Sequence, residues 1–143
     1  MGLFSFFSSK KYNNILHDMK DCLCKFMAEY AVESPESMPD VAGIFANTQI
    51  MLDSLSPKDI KKAIKANGVT AECGVLNIIQ NYAMYEIKST TEKDLLFGEK
   101  DEAYDLYIFV NEKKLKLNYI SNEQYQDNKR LGFCLKTGKR PII

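Results

Sequence analysis

The feature that most constrains this chain is an apolar stripe near its start. Between Lys11 and Ala31, Tyr12, Ile15, Leu16, Met19, Leu23, Phe26, Met27 and Tyr30 recur at i, i+3, i+4 and i+7. An α-helix turns once in about 3.6 residues, so this spacing gathers them on one face over about five turns. His17, Asp18, Lys20, Asp21 and Lys25 fall mainly on the other side. A face of that length has to be covered by other elements. The run stops at Glu33-Ser34-Pro35-Glu36-Ser37-Met38-Pro39, a connector marked by its prolines and serines.

The next three segments keep the helical period. Pro39 to Ser54 carries Val41, Ile44, Phe45, Thr48, Leu52 and, just beyond, Leu55, with Pro39 and Asp40 suited to a first turn. Ser56-Pro57-Lys58-Asp59 is a compact start signal. The short helix behind it should place Ile60, Ala63 and Ile64 inside and Lys58, Lys61, Lys62 and Lys65 outside, ending at Asn67-Gly68. A fourth helix should run from Thr70 or Ala71 to about Lys88. Val75, Leu76, Ile79, Tyr82, Ala83 and Ile87 form its stripe, widened by Ile78 and Tyr85. Gly74 lies inside its first turns, where it allows a close helix crossing.

After Ser89-Thr90-Thr91 the pattern changes. Asp105 to Val110 is rich in aromatic and β-branched residues and predicts a strand. Asn111-Glu112-Lys113-Lys114 then reads as a turn, and the alternating Leu115 to Ile120 as the partner strand. Lys93 to Phe97 and Arg130 to Lys136 add short strands, with a polar loop from Ser121 to Lys129. The expected fold class is therefore α+β: an N-terminal bundle of about four helices followed by a C-terminal antiparallel meander of three to four strands. The expected organisation is an apolar N-terminal arm over residues 1–10 and a single domain over 11–143, with a helical half at 11–88 and a β half at 93–137.

Charge enters at this point. The 19 Lys+Arg balance the 19 Asp+Glu, which argues against a chain that binds nucleic acid over its whole surface. The zero hides a segregation. Residues 92–112 hold seven acids against Lys93 and Lys100, and residues 113–143 hold eight bases against Glu123 and Asp127. Both blocks fall in the expected sheet, which gives it a polarised face.

No constellation for catalysis stands out. His17 is the one histidine and pairs with Asp21 at i+4; Cys24 at i+7 is about 10 Å further along a helix, too far for a nucleophile–base contact. Cys22-x-Cys24, Cys73 and Cys134 match neither a redox pair nor a zinc spacing, and read as reduced thiols of a cytoplasmic protein. No glycine-rich phosphate loop occurs. The expectation is a non-enzyme without cofactor or metal. Leu3, Phe4, Phe6 and Phe7 make too short an apolar run for a secretory signal, and position 6 lacks the hydroxyl residue of a myristoylation site. They read as an arm that fills a groove or rests on a membrane surface.

These observations lead to a small protein-binding module, in its most concrete form an immunity or inhibitor protein that neutralises a toxin or enzyme through the charge-polarised β face. Its expected contact residues are Glu99, Asp101, Glu102, Tyr104 and Asp105, with Lys113 and Lys114. Two alternatives stand beside it. A membrane-surface adaptor would use residues 1–11. A winged-helix DNA binder would read bases with Asn77, Gln80 and Asn81 and use Lys113-Lys114 as its wing, though its reading helix has almost no phosphate-neutralising charge.

Overall fold

A computed structural model describes residues 2–67, 70–93 and 99–138, with side chains over 11–65, 70–89 and 102–138. Six α-helices account for them: α1 (Gly2–Glu33), α2 (Met38–Ser54), α3 (Pro57–Asn67), α4 (Ala71–Lys93), α5 (Glu99–Lys116) and α6 (Asn122–Thr137). There is no strand among the described residues.

The first four helices lie where the apolar period puts them, with α1 reaching back to Gly2 and α4 on to Lys93. Their ends follow local chemistry. Ser56 Oγ accepts from the Asp59 backbone N–H at 3.2 Å while Asp59 accepts from the Ser56 N–H at 3.0 Å, a reciprocal cap that starts α3. Thr70 Oγ1 accepts from the Cys73 N–H at 3.2 Å and starts α4.

The α+β expectation fails after residue 98. Asp105–Val110, the expected first strand, and Asn111–Lys114, the expected turn, are successive turns of α5. The expected partner strand, 115–120, is the end of α5 and a tight connector in which Asn118 adopts φ 62°. The expected loop 121–129 and strand 130–136 together form α6. The short strand expected over Lys93–Phe97 lies outside the described residues except for Lys93, which ends α4.

The physical reason is visible in the burial. Ala103, Leu106, Tyr107, Val110, Asn111 and Lys114 are the buried residues of α5. Their spacing is helical, but two of the six are polar, so the stripe looks broken at Asn111. Tertiary packing on α4 then overrides the β-propensity of Tyr107, Ile108, Phe109 and Val110. Part of the charge segregation falls on the same helix. Acids at its start and Lys113, Lys114 and Lys116 in its last turn complement the helix dipole, which is positive at the N-terminus and negative at the C-terminus.

Helix α4 is the hub and packs against α1, α2, α5 and α6. Leu76, Ile79, Ala83 and Ile87 of α4 meet Leu106 and Val110 of α5 in a continuous core that takes in Leu23 and Phe26 of α1 and Ile44 and Leu52 of α2. Phe26, Tyr30, Phe45 and Phe109 form an aromatic cluster where α1, α2 and α5 meet, with ring centroids 5.2 to 6.4 Å apart. Lys20 of α1 pairs with Asp53 of α2 at 2.9 Å.

Helix α6 is attached differently. Ser121 and Gln124 form a capping box at its start, and Gly138, at φ 72°, closes its end. Asn111 Nδ2 donates to the Tyr125 carbonyl at 3.1 Å, Asn128 Nδ2 donates to Asn111 Oδ1 at 3.0 Å, and the Tyr107 hydroxyl donates to the Asn128 carbonyl at 2.6 Å. Gly132 is the buried residue of α6 and sits directly against the Tyr107 ring.

Candidate functional site

One surface depression follows from how α3 is held. Among the described residues its backbone closes on α1 and does not approach α4. Ile60 is buried, yet it stands outside the continuous core. Between α3 and α4 lies a cleft of about 280 Å³. Its floor and walls come from Ile15 and Met19 of α1, Met51 and Leu55 at the end of α2, Ile60 and Ile64 of α3, and Gly74 and Ile78 of α4. Asp59, Ala63, Thr70 and Asn77 complete it. Gly74 lines the cleft on the α4 side. Ala63, expected inside, is exposed, and Ile64 is half-buried.

A second hollow, of about 300 Å³, adjoins the first at Met51 and Ile78 and is completed by Asn81, Tyr82 and Tyr85. Tyr85, expected to widen the buried stripe, is 70 % exposed; neighbouring Ile50 and Met51 of α2 are 64 % and 37 % exposed. An apolar trough therefore runs beside α4 from Thr70 to Tyr85, about 22 Å at 1.5 Å per residue. Contiguous apolar surface of this kind marks interaction sites more often than scattered single residues do.

The residues expected to make the contact patch are spread along α5. The acids and the lysines stand at opposite ends of α5, with about 18 Å of helix between Glu102 and Lys114. The side chains of Glu99 and Asp101 lie outside the described residues, as do those of Leu3, Phe4, Phe6 and Phe7. Glu102 is half-buried, with Oε2 enclosed and unpartnered. Tyr104 is half-buried beneath the Lys136 ammonium, 4.5 Å from its ring centre. Asp105 is exposed. Lys113 pairs with Glu29 of α1. With no sheet among the described residues, the expected polarised β face is not formed there, and part of its charge lies along α5. The Lys113-Lys114 wing of a winged helix is likewise the last turn of α5, and Gln80 is buried.

Lys114 is the residue whose environment the sequence hides best. It is 94 % enclosed, its ammonium donates to Gln80 Oε1 at 2.8 Å, and Gln80 Nε2 is enclosed without a partner. Burial pushes the Lys114 pKa below its ordinary 10.5, opposed by the nearby Cys73. The unfolded chain then binds more protons than the folded one between the lowered value and 10.5, so stability rises with pH across that window. Wild type should gain on Lys114→Met as pH climbs through that window, by at most about 1.4 kcal/mol per pH unit. Paired urea titrations check this, and a pH-independent difference would show that Lys114 is not desolvated.

Other chemistry is sparse. His17 pairs with Asp21 at 3.6 Å on an exposed face. Cys22, Cys24, Cys73 and Cys134 are free thiols. Among the described residues no group of three or more His, Cys, Asp or Glu is placed to hold a metal ion, and no helix is long and apolar enough to cross a membrane. The chain matches no known family model, no curated protein and no solved structure.

Proposed function

We propose that this chain is a non-enzymatic protein-binding module of the immunity or inhibitor type, and that the cleft between α3 and α4 receives an apolar anchor of its partner. The observation that carries the reading is the cleft itself: an open apolar depression with a few polar groups at its edge. Protein interfaces concentrate their energy where a side chain enters such a pocket. Two methionines, Met19 and Met51, line it, and their flexible thioethers adapt to the shape of what enters. Neutralisation of a toxin or enzyme is the form of this reading in which the captured partner is blocked. A cytoplasmic location goes with it, since a reducing compartment preserves four free thiols.

Ala63→Trp tests the reading. The position is exposed and lines the cleft, so an indole there should plug the space while the helix remains intact. Proteins captured from the native host by wild type should fall by about tenfold or more with the variant, at unchanged helical content. Capture of the same proteins at the same level would remove the cleft from consideration.

A further inference from the structure

We propose that α3 and the start of α1 together form a docking surface for an anionic membrane, with the lysine stripe of α3 on the lipid headgroups and the first two turns of α1 in the headgroup layer. The surface goes beyond the module reading and uses other residues than the cleft. Three observations carry it. The first is charge. Lys58, Lys61, Lys62 and Lys65 recur at i, i+3, i+4 and i+7, which sets them on one face of α3, and all four are exposed. None of them is in an ion pair among the described residues. Asp59, the one acid of this helix, is tied to the backbone N–H and hydroxyl of Ser56. Counting Asp59 still leaves α3 an excess of three positive charges, in a chain whose total is zero. At an anionic bilayer each such lysine adds about fivefold in affinity.

The second is placement. Among the described residues α3 is fastened to α1, and its Ile60 and Ile64 share the cleft with Ile15 and Met19 of α1. The apolar side of α3 is thus turned inward and the lysine stripe outward, beside the first half of α1. Helix α1 begins at Gly2, so Leu3, Phe4, Phe6 and Phe7 fall in its first two turns, with Lys10 and Lys11 one turn further on. Only about 12 Å of helix separates Phe7 from Ile15, which brings the apolar turns and the stripe within reach of one bilayer surface. No acid precedes Asp18 in the chain.

The third is the pairing of the two signals. At a bilayer interface apolar side chains sink below the headgroups while lysines behind them reach up to the phosphates. A single weak anchor binds marginally, whereas an apolar insertion combined with a basic patch holds. The occupant follows from this pairing: a nucleic acid would take up the lysines and leave Leu3, Phe4, Phe6 and Phe7 in water.

Co-sedimentation of the full chain with lipid vesicles tests the proposal. Vesicles of phosphatidylcholine with about one-quarter phosphatidylserine should bind at least about tenfold more tightly than phosphatidylcholine alone at about 50 mM salt, and the difference should shrink toward about 500 mM. Lys61→Gln combined with Lys65→Gln should weaken that binding by about tenfold or more. Phe4→Ser combined with Phe7→Ser should weaken it by a similar factor of about ten and keep the preference for anionic vesicles. Removing the same charge from exposed positions of α6, with Lys129→Gln and Arg130→Gln, should change it by less than about twofold. Circular dichroism checks folding; where the Phe4 and Phe7 variant does not fold, Lys10→Gln with Lys11→Gln takes its place and should also weaken binding. Absence of binding to the anionic vesicles overturns the proposal, and so does equal binding to neutral ones. It is equally overturned by binding indifferent to the α1 or α3 changes, by an equal loss in the α6 variant, or by lysine-dependent capture of duplex DNA or RNA in place of vesicles. Lys61 and Lys65 do not line the cleft, so these outcomes and that of Ala63→Trp are independent.

Discussion

Leu106→Ala is expected to lower the unfolding free energy by about 3–5 kcal/mol. Leu106 is fully enclosed in the core shared by α4 and α5. Removing its branched end deletes apolar contacts and leaves a cavity. Flanking helices α2 and α4, fixed by their own packing, cannot collapse into it. Urea unfolding should show a lower midpoint with an unchanged slope. The neighbours make the measurement diagnostic. On a strand, Leu106, Ile108 and Val110 would share a face and respond alike; on α5, Leu106 and Val110 are enclosed while Ile108 is half-buried. Ile108→Ala should therefore be clearly milder than Leu106→Ala, and Glu112→Ala, on the exposed side, should stay within about 0.5 kcal/mol. Equal losses at 106 and 108 would speak for a two-residue period.

Gly132→Val should cost about 1–3 kcal/mol and release α6 from the rest of the fold. A Cβ at Gly132 would lie 2.5 Å and 2.8 Å from two carbons of the Tyr107 ring. That ring is enclosed, and its hydroxyl is held by the Asn128 carbonyl at 2.6 Å, so it cannot slide aside without breaking the bond that docks α6. Relief of the helical penalty of glycine returns at most about 1 kcal/mol, and a β-branched replacement returns less. Limited proteolysis should cut the variant within α6 while α1 to α5 stay protected. A variant that melts with wild type and keeps α6 protected would place Tyr107 elsewhere.

The two halves of the chain differed in how openly their sequence showed the fold, and particular side chains explain why. In α1, α2 and α4 nearly every enclosed position is apolar, so the helical period is explicit. In α5 the enclosed face ends on Asn111 and Lys114. Both are polar for a reason that emerges only in three dimensions: Asn111 bonds to α6 and Lys114 to Gln80 of α4. Hydropathy counts them as solvent-facing and cuts the helix in two. In α6 the local signal was present, since Ser121 and Gln124 have capping-box spacing, but the alternation of Leu131, Phe133 and Leu135 competes with it. The cleft was partly legible. Ile60 and Ile64 of α3 were recognisable as an inner face, but only the separation of α3 from α4 shows that part of this face is left uncovered. Tyr85 shows the converse, an aromatic that fits the stripe by period and lies outside it by geometry.

The way α6 is fastened has a thermodynamic consequence. Its seat is a set of directional bonds through Asn111, Asn128 and Tyr107, with little enclosed hydrocarbon of its own. Detaching it therefore exposes little apolar area, and the heat-capacity increment and denaturant slope of that opening should both be small. Amide exchange in α6 should proceed by a sub-global opening almost independent of urea, whereas amides of α4 and α5 should exchange with the full slope of global unfolding. The helix closest to the C-terminus would then be a separate thermodynamic unit, loosened by heat through enthalpy and scarcely affected by cold.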